Sequence, residues 1–311
     1  MLHFNRLEEI ESPLKKAVVT IGNFDGVHIG HQSLFHAVIE RADAIGGTSV
    51  AMTFDPHPIR VLKQNGNPPL ITLHEQKVEL IANTGIDVLI TVPFNSTFAA
   101  LTPREFVTSV LLQRIGMHTT VVGRDYTFGK GGQGNLETLR ALAAELNFEV
   151  IEADWINITV GSGERISSTR IRELVTDGEV AKVPRFLGRH YQIRGIVATG
   201  RNRGGRLLGF PTANINLADE LCPKTGVYAV TVETDAGKFK GVANIGYSPT
   251  FDDHLFTVEV HILDFSDDIY DKPIRVNFIQ RIRDEIKFDG IAQLAEQIQR
   301  DIEAAEKMLS V

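Results

Sequence analysis

Through about residue 186 the chain alternates short apolar runs with longer stretches of helical spacing. Ala17 to Ile21 (AVVTI) is β-branched and strand-like, and in the following His31 to Ile45 the residues Leu34, Phe35, Val38, Ile39 and Ala42 recur at helical intervals. Ser49 to Phe54, Ile86 to Val92, Thr119 to Val122 and Phe148 to Ile151 are further strand-like runs. Thr102-Pro-Arg-Glu105 carries a helix-start signature and opens a helix with Phe106, Val107, Val110 and Leu111 facing inward. Asn135 to Leu146 predicts another helix. Such βαβα alternation predicts an α/β fold with a parallel sheet covered by helices.

Beyond that point the rhythm changes to strands separated by turns. Tyr191 to Val197, Gly226 to Glu233, Gly237 to Ala243, Leu255 to Leu263 and Ile274 to Phe278 are strand-like, with Gly204-Gly205, Asp235 to Gly237 and Ser266 to Asp268 as turns. This predicts a small antiparallel sheet or barrel. Gly290 to Leu309 closes as an amphipathic helix, with Ile291, Leu294, Ile298, Ile302 and Met308 on one stripe. The expected domains are 1–186 and 187–311, and 311 residues suit about two domains of ordinary size.

Composition narrows the setting. A net charge of -7 argues against an extended nucleic-acid track. No run reaches the length of a membrane span, and the polar, acidic Met1 to Pro13 does not read as a signal peptide. Cys222 is the single cysteine, which excludes an intrachain disulfide framework and fits a cytoplasmic location. The expected partners are small molecules, with neither nucleic acid nor membrane, and the expected state is a monomer or weak homo-oligomer.

Val18 to His31 (VVTIGNFDGVHIGH) runs from a strand through a glycine-rich turn into a helix. In a parallel sheet such a turn is a ligand-binding position, where glycine lets backbone N–H groups approach phosphate and the helix start favours negative charge. His28 and His31 are three apart and share a face, and Gly30 between them leaves room for a flat ring. Spacing alone leaves open half a metal site or two surface histidines. A second segment, Ile166-Ser-Ser-Thr-Arg-Ile-Arg172, opens a helix over Thr169 to Val175 with three hydroxyls and two arginines. It reads as a polyphosphate site or as a plain N-cap with exposed arginines.

Together, H-x-G-H at the first βα turn and a late S-S-T-x-I-R resemble the Rossmann-like nucleotidyltransferase superfamily. GNFDGVHIGH, TFDPHP (Thr53 to Pro58) and GRDYTFGKGGQG (Gly123 to Gly134) resemble the FMN adenylyltransferase module of bacterial bifunctional riboflavin kinase/FAD synthetases. H-I-G-H also occurs in class I aminoacyl-tRNA synthetases, but the chain has no lysine-rich K-M-S-K-S-like segment. The resemblance implies that His28 and His31 stabilise the reacting α-phosphate of ATP. It implies nucleotide contacts for Gly22, Asn23, Phe24, Gly30, Arg165, Ser168, Thr169 and Arg170. It implies a flavin pocket with Phe54, Asp55, Pro56, Pro58, Asp125 and Phe128. Read without it, Asp55 to Pro58 is a rigid turn and Asp125 a solvated carboxylate.

In the second half, Gly200 to Asn214 (GRNRGGRLLGFPTAN) joins an arginine-bearing loop (Arg201, Arg203, Arg206) to an extended Pro-Thr-Ala-Asn. At i, i+2 spacing Thr212 and Asn214 point the same way, and neutral oxygens suit a Mg²⁺ whose anionic ligands come from ATP. The alternative is a polar turn. No G-x-x-x-x-G-K-[ST] is present. In Leu255 to Phe265, Thr257, Glu259, His261 and Leu263 share one face, and Glu259 is either a base for an alcohol or an edge-strand carboxylate in water. GFPTAN, GVANIG (Gly241 to Gly246), VEVHILDF and RIRDEIKFDG (Arg281 to Gly290) resemble a riboflavin kinase domain. That resemblance implies a six-stranded split β-barrel with a terminal helix. It implies Thr212 and Asn214 as Mg²⁺ ligands, Glu259 as the base on the ribityl hydroxyl, Arg203 and Arg206 on nucleotide, and Arg281 on flavin. Asp271 departs from the glycine usual after the tyrosine of that turn. The implied reactions take riboflavin and ATP to FMN, then FMN and ATP to FAD. The rivals are a nucleotidyltransferase for another substrate and a non-catalytic flavin-binding module.

Overall fold

The computed structural model describes residues 1–62, 68–153, 157–158, 164–198, 210–217, 219–247 and 256–310. The chain divides into two units, Met1–Ser168 and Thr169–Val311.

The first unit is built on β1 (Leu2–Phe4), β2 (Ala17–Ile21), β3 (Thr48–Asp55), β4 (Val88–Pro93), β5 (Met117–Gly123) and β6 (Glu149–Ala153). They form one sheet in the order β1-β4-β3-β2-β5-β6, with every neighbouring pair parallel. All five residues of β2 are buried, as a central strand covered on both faces requires. The helices are α1 (Ile29–Ile45), α2 (Pro58–Leu62), α3 (His74–Ala82), α4 (Ser96–Ala99), α5 (Pro103–Glu105) and α6 (Leu136–Leu146). The short two-stranded pair β7 (Asn157–Ile158) and β8 (Glu164–Arg165) lies outside the main sheet. Chain order reverses between β2 and β5, so the crevice at their C-terminal ends is the switch point where open α/β sheets bind ligands.

Two local features differ from the pattern reading. The pattern does not predict β1, since three residues at a sheet edge are too few to show a period. The capping box forms as expected: Glu105 N–H donates to Thr102 Oγ1 (3.2 Å) and Thr102 N–H to Glu105 Oε2 (2.8 Å). The chain then continues as a π-helix, Phe106–Ile115. Phe106 and Leu111, and Val110 and Ile115, are buried at spacings of five, which the wider turn brings onto one face.

The second unit opens with α7 (Ser168–Thr176), which crosses the division between the units, and α8 (Pro184–Leu187). Its strands are β9 (Tyr191–Ala198), β10 (Ala213–Asn216), β11 (Gly226–Thr234), β12 (Gly237–Tyr247), β13 (Phe256–Ile262) and β14 (Pro273–Arg283), and α9 (Ile291–Met308) closes the chain. The strands form a closed antiparallel barrel in the order β10-β13-β12-β11-β14-β9. The change in pattern lies at 186, whereas the contacts divide after Ser168. The intervening segment is bound to the barrel: Lys224 N–H donates to Val175 O at 3.3 Å, and a Cβ on Gly178 would lie 2.7 Å from Arg281 Cδ.

On α9 the apolar stripe is shorter than expected. Ile302 and Ala305 pack with Val227, Ala229, Val242 and Leu263, joined by Ile298 and Met308. Ile291 is 72% exposed, because those contacts begin only at Ile298 and leave the first turn outside them. Asp301 is buried in the same face and accepts a forked set of bonds from Arg283 (2.7–3.1 Å) and one from Gln297 (2.9 Å). Among the described residues no helix is long and apolar enough to cross a membrane.

Candidate active sites

The first site lies at the switch point. After β2 the backbone turns sharply, with Phe24 at φ +48° and Val27 at φ +42°. Phe24 is buried, its ring edge-on to His31 (5.2 Å) and Phe35 (4.8 Å), so any contact it makes with a nucleotide falls to its backbone. A Cβ on Gly22 would lie 2.7 Å from that ring. The Asp25 carboxylate is also buried and accepts from the Ile71 and Thr72 N–H groups (3.1–3.2 Å), fixing the loop from below.

His28 is the N-cap of α1, and its Nδ1 accepts from His31 N–H at 3.2 Å. The two imidazoles stack with centroids 3.5 Å apart, 15° from parallel. A Cβ on Gly30 would lie 3.2 Å from the His28 ring, so the flat ring that Gly30 accommodates is that of His28 itself. Burial above all, then the neighbouring His28 and Lys77, holds the His31 pKa well below its ordinary value. His31 Nδ1 has no hydrogen-bond partner among the described residues.

The late hydroxyl segment meets this loop: Ser168 Oγ donates to Asp25 O at 2.9 Å. Arg165 pairs with Asp125 at 2.6 Å, both exposed. Thr169 and Arg170 follow on α7, where Arg170 pairs with Glu173 (3.2 Å). A cavity of about 420 Å³ opens beside the loop and is lined by Gly22, Asn23, Phe54, Pro58, Asp125 and Phe128 together. Asp55 and Pro56 are not in its lining. Phe54, Phe94, Phe98, Phe106 and Phe128 form a chain of ring contacts 5.5–6.0 Å apart around it. Such a wall, with polar groups at one end, suits a flat aromatic ligand bearing a charged tail.

The second site is a row across three strands. Glu259 on β13 stands directly opposite Asn214 on β10 and Asn244 on β12. β13 is therefore an interior strand of the barrel, which sets aside the edge-strand alternative. Val258 and Val260 are fully buried and Ile262 nearly so, which puts Glu259 on the outer face. Glu259 is half-buried even so, and burial raises its pKa. Thr212 precedes β10 and lines a cavity of about 200 Å³ with Ala213, Val260 and Tyr270, a lining that does not include Glu259 or Asn214. His261 Nδ1 donates to the Pro211 carbonyl (2.8 Å), with Phe210 edge-on to its ring, which anchors the segment carrying Thr212. A Cβ on Gly246 would lie 2.3 Å from Glu285 Oε1, so that glycine admits a second carboxylate beside Asn244.

Arg281 is not brought to this row. It is on β14, three strands from the β13 that carries Glu259, donates to Thr225 O and Asp284 (2.6 Å each), and lies over the Tyr228 ring. Asp271 adopts φ +60°, a glycine-like conformation that aspartate tolerates, and its N–H donates to Val197 O at 2.9 Å. Arg201, Arg203 and Arg206 lie outside the described residues.

A family model of FAD synthetase matches residues 10–170, and one of riboflavin kinase matches residues 187–309. The bifunctional riboflavin kinase/FMN adenylyltransferase of Bacillus subtilis is 38% identical over 307 residues, covering 97% of this chain and 95% of the relative. The chain belongs to the bifunctional riboflavin kinase/FMN adenylyltransferase family. The Escherichia coli member is 35% identical over 94% of this chain and 92% of its own length. A solved structure titled as a macrolide-efflux protein from Streptococcus pneumoniae matches with a TM-score of 0.86 and 34% identity, covering 98% of both chains.

Several residues of these sites carry no motif in the sequence of this family member. Phe94 and Phe98 follow β4 in PFNSTF, at the C-terminal edge of a parallel sheet, and that position was the available signal. Asn244 lies inside GVANIG, where the sequence alone marks no role for it. Lys77 gave no signal, since a single lysine in a helical pattern reads as solvated.

Proposed function

We propose that the second unit phosphorylates riboflavin with ATP to give FMN, and that the first unit adenylylates FMN with a second ATP to give FAD and pyrophosphate. The family matches support assigning adenylyl transfer to residues 1–186 and phosphorylation to residues 187–311. The observation that carries the reading is the Asn214–Glu259–Asn244 row, which places one desolvated carboxylate among neutral amides on an interior barrel strand.

In the first unit the FMN phosphate is already an anion, so the transfer needs no protein nucleophile. Positioning and charge stabilisation suffice. The aromatic wall holds the flavin, and the loop after β2 holds phosphates beside His28 and His31. A neutral His31 donates its one ring N–H where the α-phosphate gains negative charge. Arg165 leaves or shares Asp125 to meet the triphosphate.

In the second unit Glu259 takes the proton of the ribityl 5′-hydroxyl as that oxygen attacks the γ-phosphate. The donor set fits Mg²⁺ brought in with ATP. Thr212 and Asn214 would offer neutral oxygen ligands, and no group of three or more His, Cys, Asp or Glu among the described residues is arranged to hold a metal alone. There Mg²⁺ would neutralise phosphate charge. His261 keeps the Thr212 segment in place. The enzyme is cytoplasmic and works as a monomer or weak homo-oligomer.

Chromatography of the products from riboflavin, ATP and Mg²⁺ tests the reading. FMN should appear first and FAD after it. Pyrophosphate should form in step with FAD. Tight flavin binding with no turnover would instead identify a binding module.

A further inference from the structure

Below the first site lies a charged group that the chemistry above does not use. Lys77, on α3, is 6% exposed. Its Nζ donates to Asn23 O (3.3 Å), Phe54 O (3.4 Å) and Thr53 Oγ1 (3.4 Å). An ammonium has three N–H donors and no acceptor, so these three contacts match its whole capacity. Thr53 Oγ1 also donates to Asn23 O at 3.2 Å, and the Asn23 carbonyl is thereby held from two directions.

Burying an ammonium is costly unless opposite charge and hydrogen bonds compensate it. Burial lowers the Lys77 pKa, while Asp25 and Asp55 act in the opposite direction. An apolar side chain of the same length would fill the space between helix and sheet without that cost. What an apolar chain cannot do is draw two peptide carbonyls to one point. Those carbonyls belong to two walls of the cavity: Asn23 from the loop after β2 and Phe54 from the end of β3. The clamp therefore joins the phosphate end of the site to its aromatic end.

We propose that Lys77 is a positioning residue for FMN adenylylation, holding the Asn23 and Phe54 peptides in fixed relation so that the phosphate loop and the aromatic wall are aligned before substrate arrives. The proposal rests on the reading of the first unit as an FMN adenylyltransferase.

The full-length chain tests it, because riboflavin phosphorylation by the same polypeptide is an internal control. In Lys77→Met, kcat/KM for FMN should fall by about tenfold or more, with KM for FMN raised as well as kcat lowered. FMN formation should stay within about twofold of the parent. Lys77→Arg restores the donors and should recover most of the loss, which a purely space-filling role would not give. Thr53→Val removes the hydroxyl half of the clamp and should raise KM for FMN less. The double variant with Lys77→Met should be no worse than Lys77→Met alone, since one linkage is lost in both. Unchanged FMN kinetics in Lys77→Met, or additive effects in the double variant, would overturn the proposal. If Lys77→Met does not fold, Lys77→Arg and Thr53→Val carry the test, and unchanged KM for FMN in Thr53→Val overturns it. A parent enzyme that forms no FAD would overturn the underlying reading instead, a result distinct from an active parent with an unaffected variant.

Discussion

The His28 ring lies face to face with the His31 ring at 3.5 Å while its Nδ1 accepts the His31 backbone N–H. One side chain thus both starts helix α1 and stacks its imidazole on that of His31 beside the loop after β2. The two roles separate by substitution. His28→Ala should lower FAD formation by about 10²–10³-fold and also cost about 1 kcal/mol from the lost cap. His28→Asn keeps a capping oxygen and should lose the activity without the stability. FMN formation should persist in both, and a product time course from riboflavin with a urea melt of each variant distinguishes these outcomes.

The depressed pKa of His31 makes the first unit acid-sensitive. Unfolded His31 protonates near its ordinary 6.5, whereas the folded residue resists until lower pH. Below that value unfolding takes up a proton, so stability falls as pH falls, by up to about 1.4 kcal/mol per pH unit for each such histidine. His3 and His74 are lowered by burial too and add in the same direction. Urea midpoints between pH 7.5 and 5.5 should drop for the parent and drop less for His31→Asn. An identical pH slope in that variant would contradict the assignment.

Glu259 has the opposite sign. Its pKa is raised by burial, so the folded state favours the protonated acid. That contribution is complete below the ordinary 4.5 and is lost as pH rises through the folded pKa, leaving a desolvated carboxylate at neutral pH. Glu259→Gln should therefore abolish FMN formation, a loss of about 10²–10⁴-fold. It should raise the melting temperature of the second unit at pH 7.5 by about 2–4 °C. FAD formation from supplied FMN should be untouched. The parent's kinase pH profile should show an acid limb above 4.5 that reports this carboxylate.

Asp301 and Arg283 tie α9 to β14 through a buried fork. Asp301→Ala strands the guanidinium and should destabilise the second unit by about 3–5 kcal/mol. The double change Arg283→Met with Asp301→Leu should recover most of that loss. Denaturant titration followed by kinase activity measures both.

What was readable in the chain follows from how physical signals repeat. β2 and α1 were legible because each shows several turns or residues of one period, and the barrel strands because turn residues punctuate them. The π-helix was not, because five-residue spacing mixes with helical spacing over ten positions. Glu259 was legible as an acid among apolar neighbours, but its two amide partners come from strands 45 and 15 residues away in sequence, and only register brings them together. Lys77 was invisible for a related reason. Its burial is created by Asn23, Thr53 and Phe54, which are distant in the chain, and nothing in its own helix marks it. The contacts of Arg281 with Thr225, Asp284 and Tyr228 were equally invisible in its motif, since register and a following turn bring them together.

β10 is four residues long, the shortest strand of the barrel, and among the described residues it pairs with β13 at four positions and with β9 at two, Asn214 with Ala198 and Ile215 with Val197. It joins β9 to β13 in the closed barrel, and it carries Asn214. Local opening is easiest where the fewest backbone bonds resist it. Amide exchange among the barrel strands of the ligand-free second unit should accordingly begin at β10. Mg²⁺ and its nucleotide, held through Asn214 as proposed, would stabilise the zipped strand by mass action, which would make the fastening of the barrel and the filling of its site a single thermodynamic event.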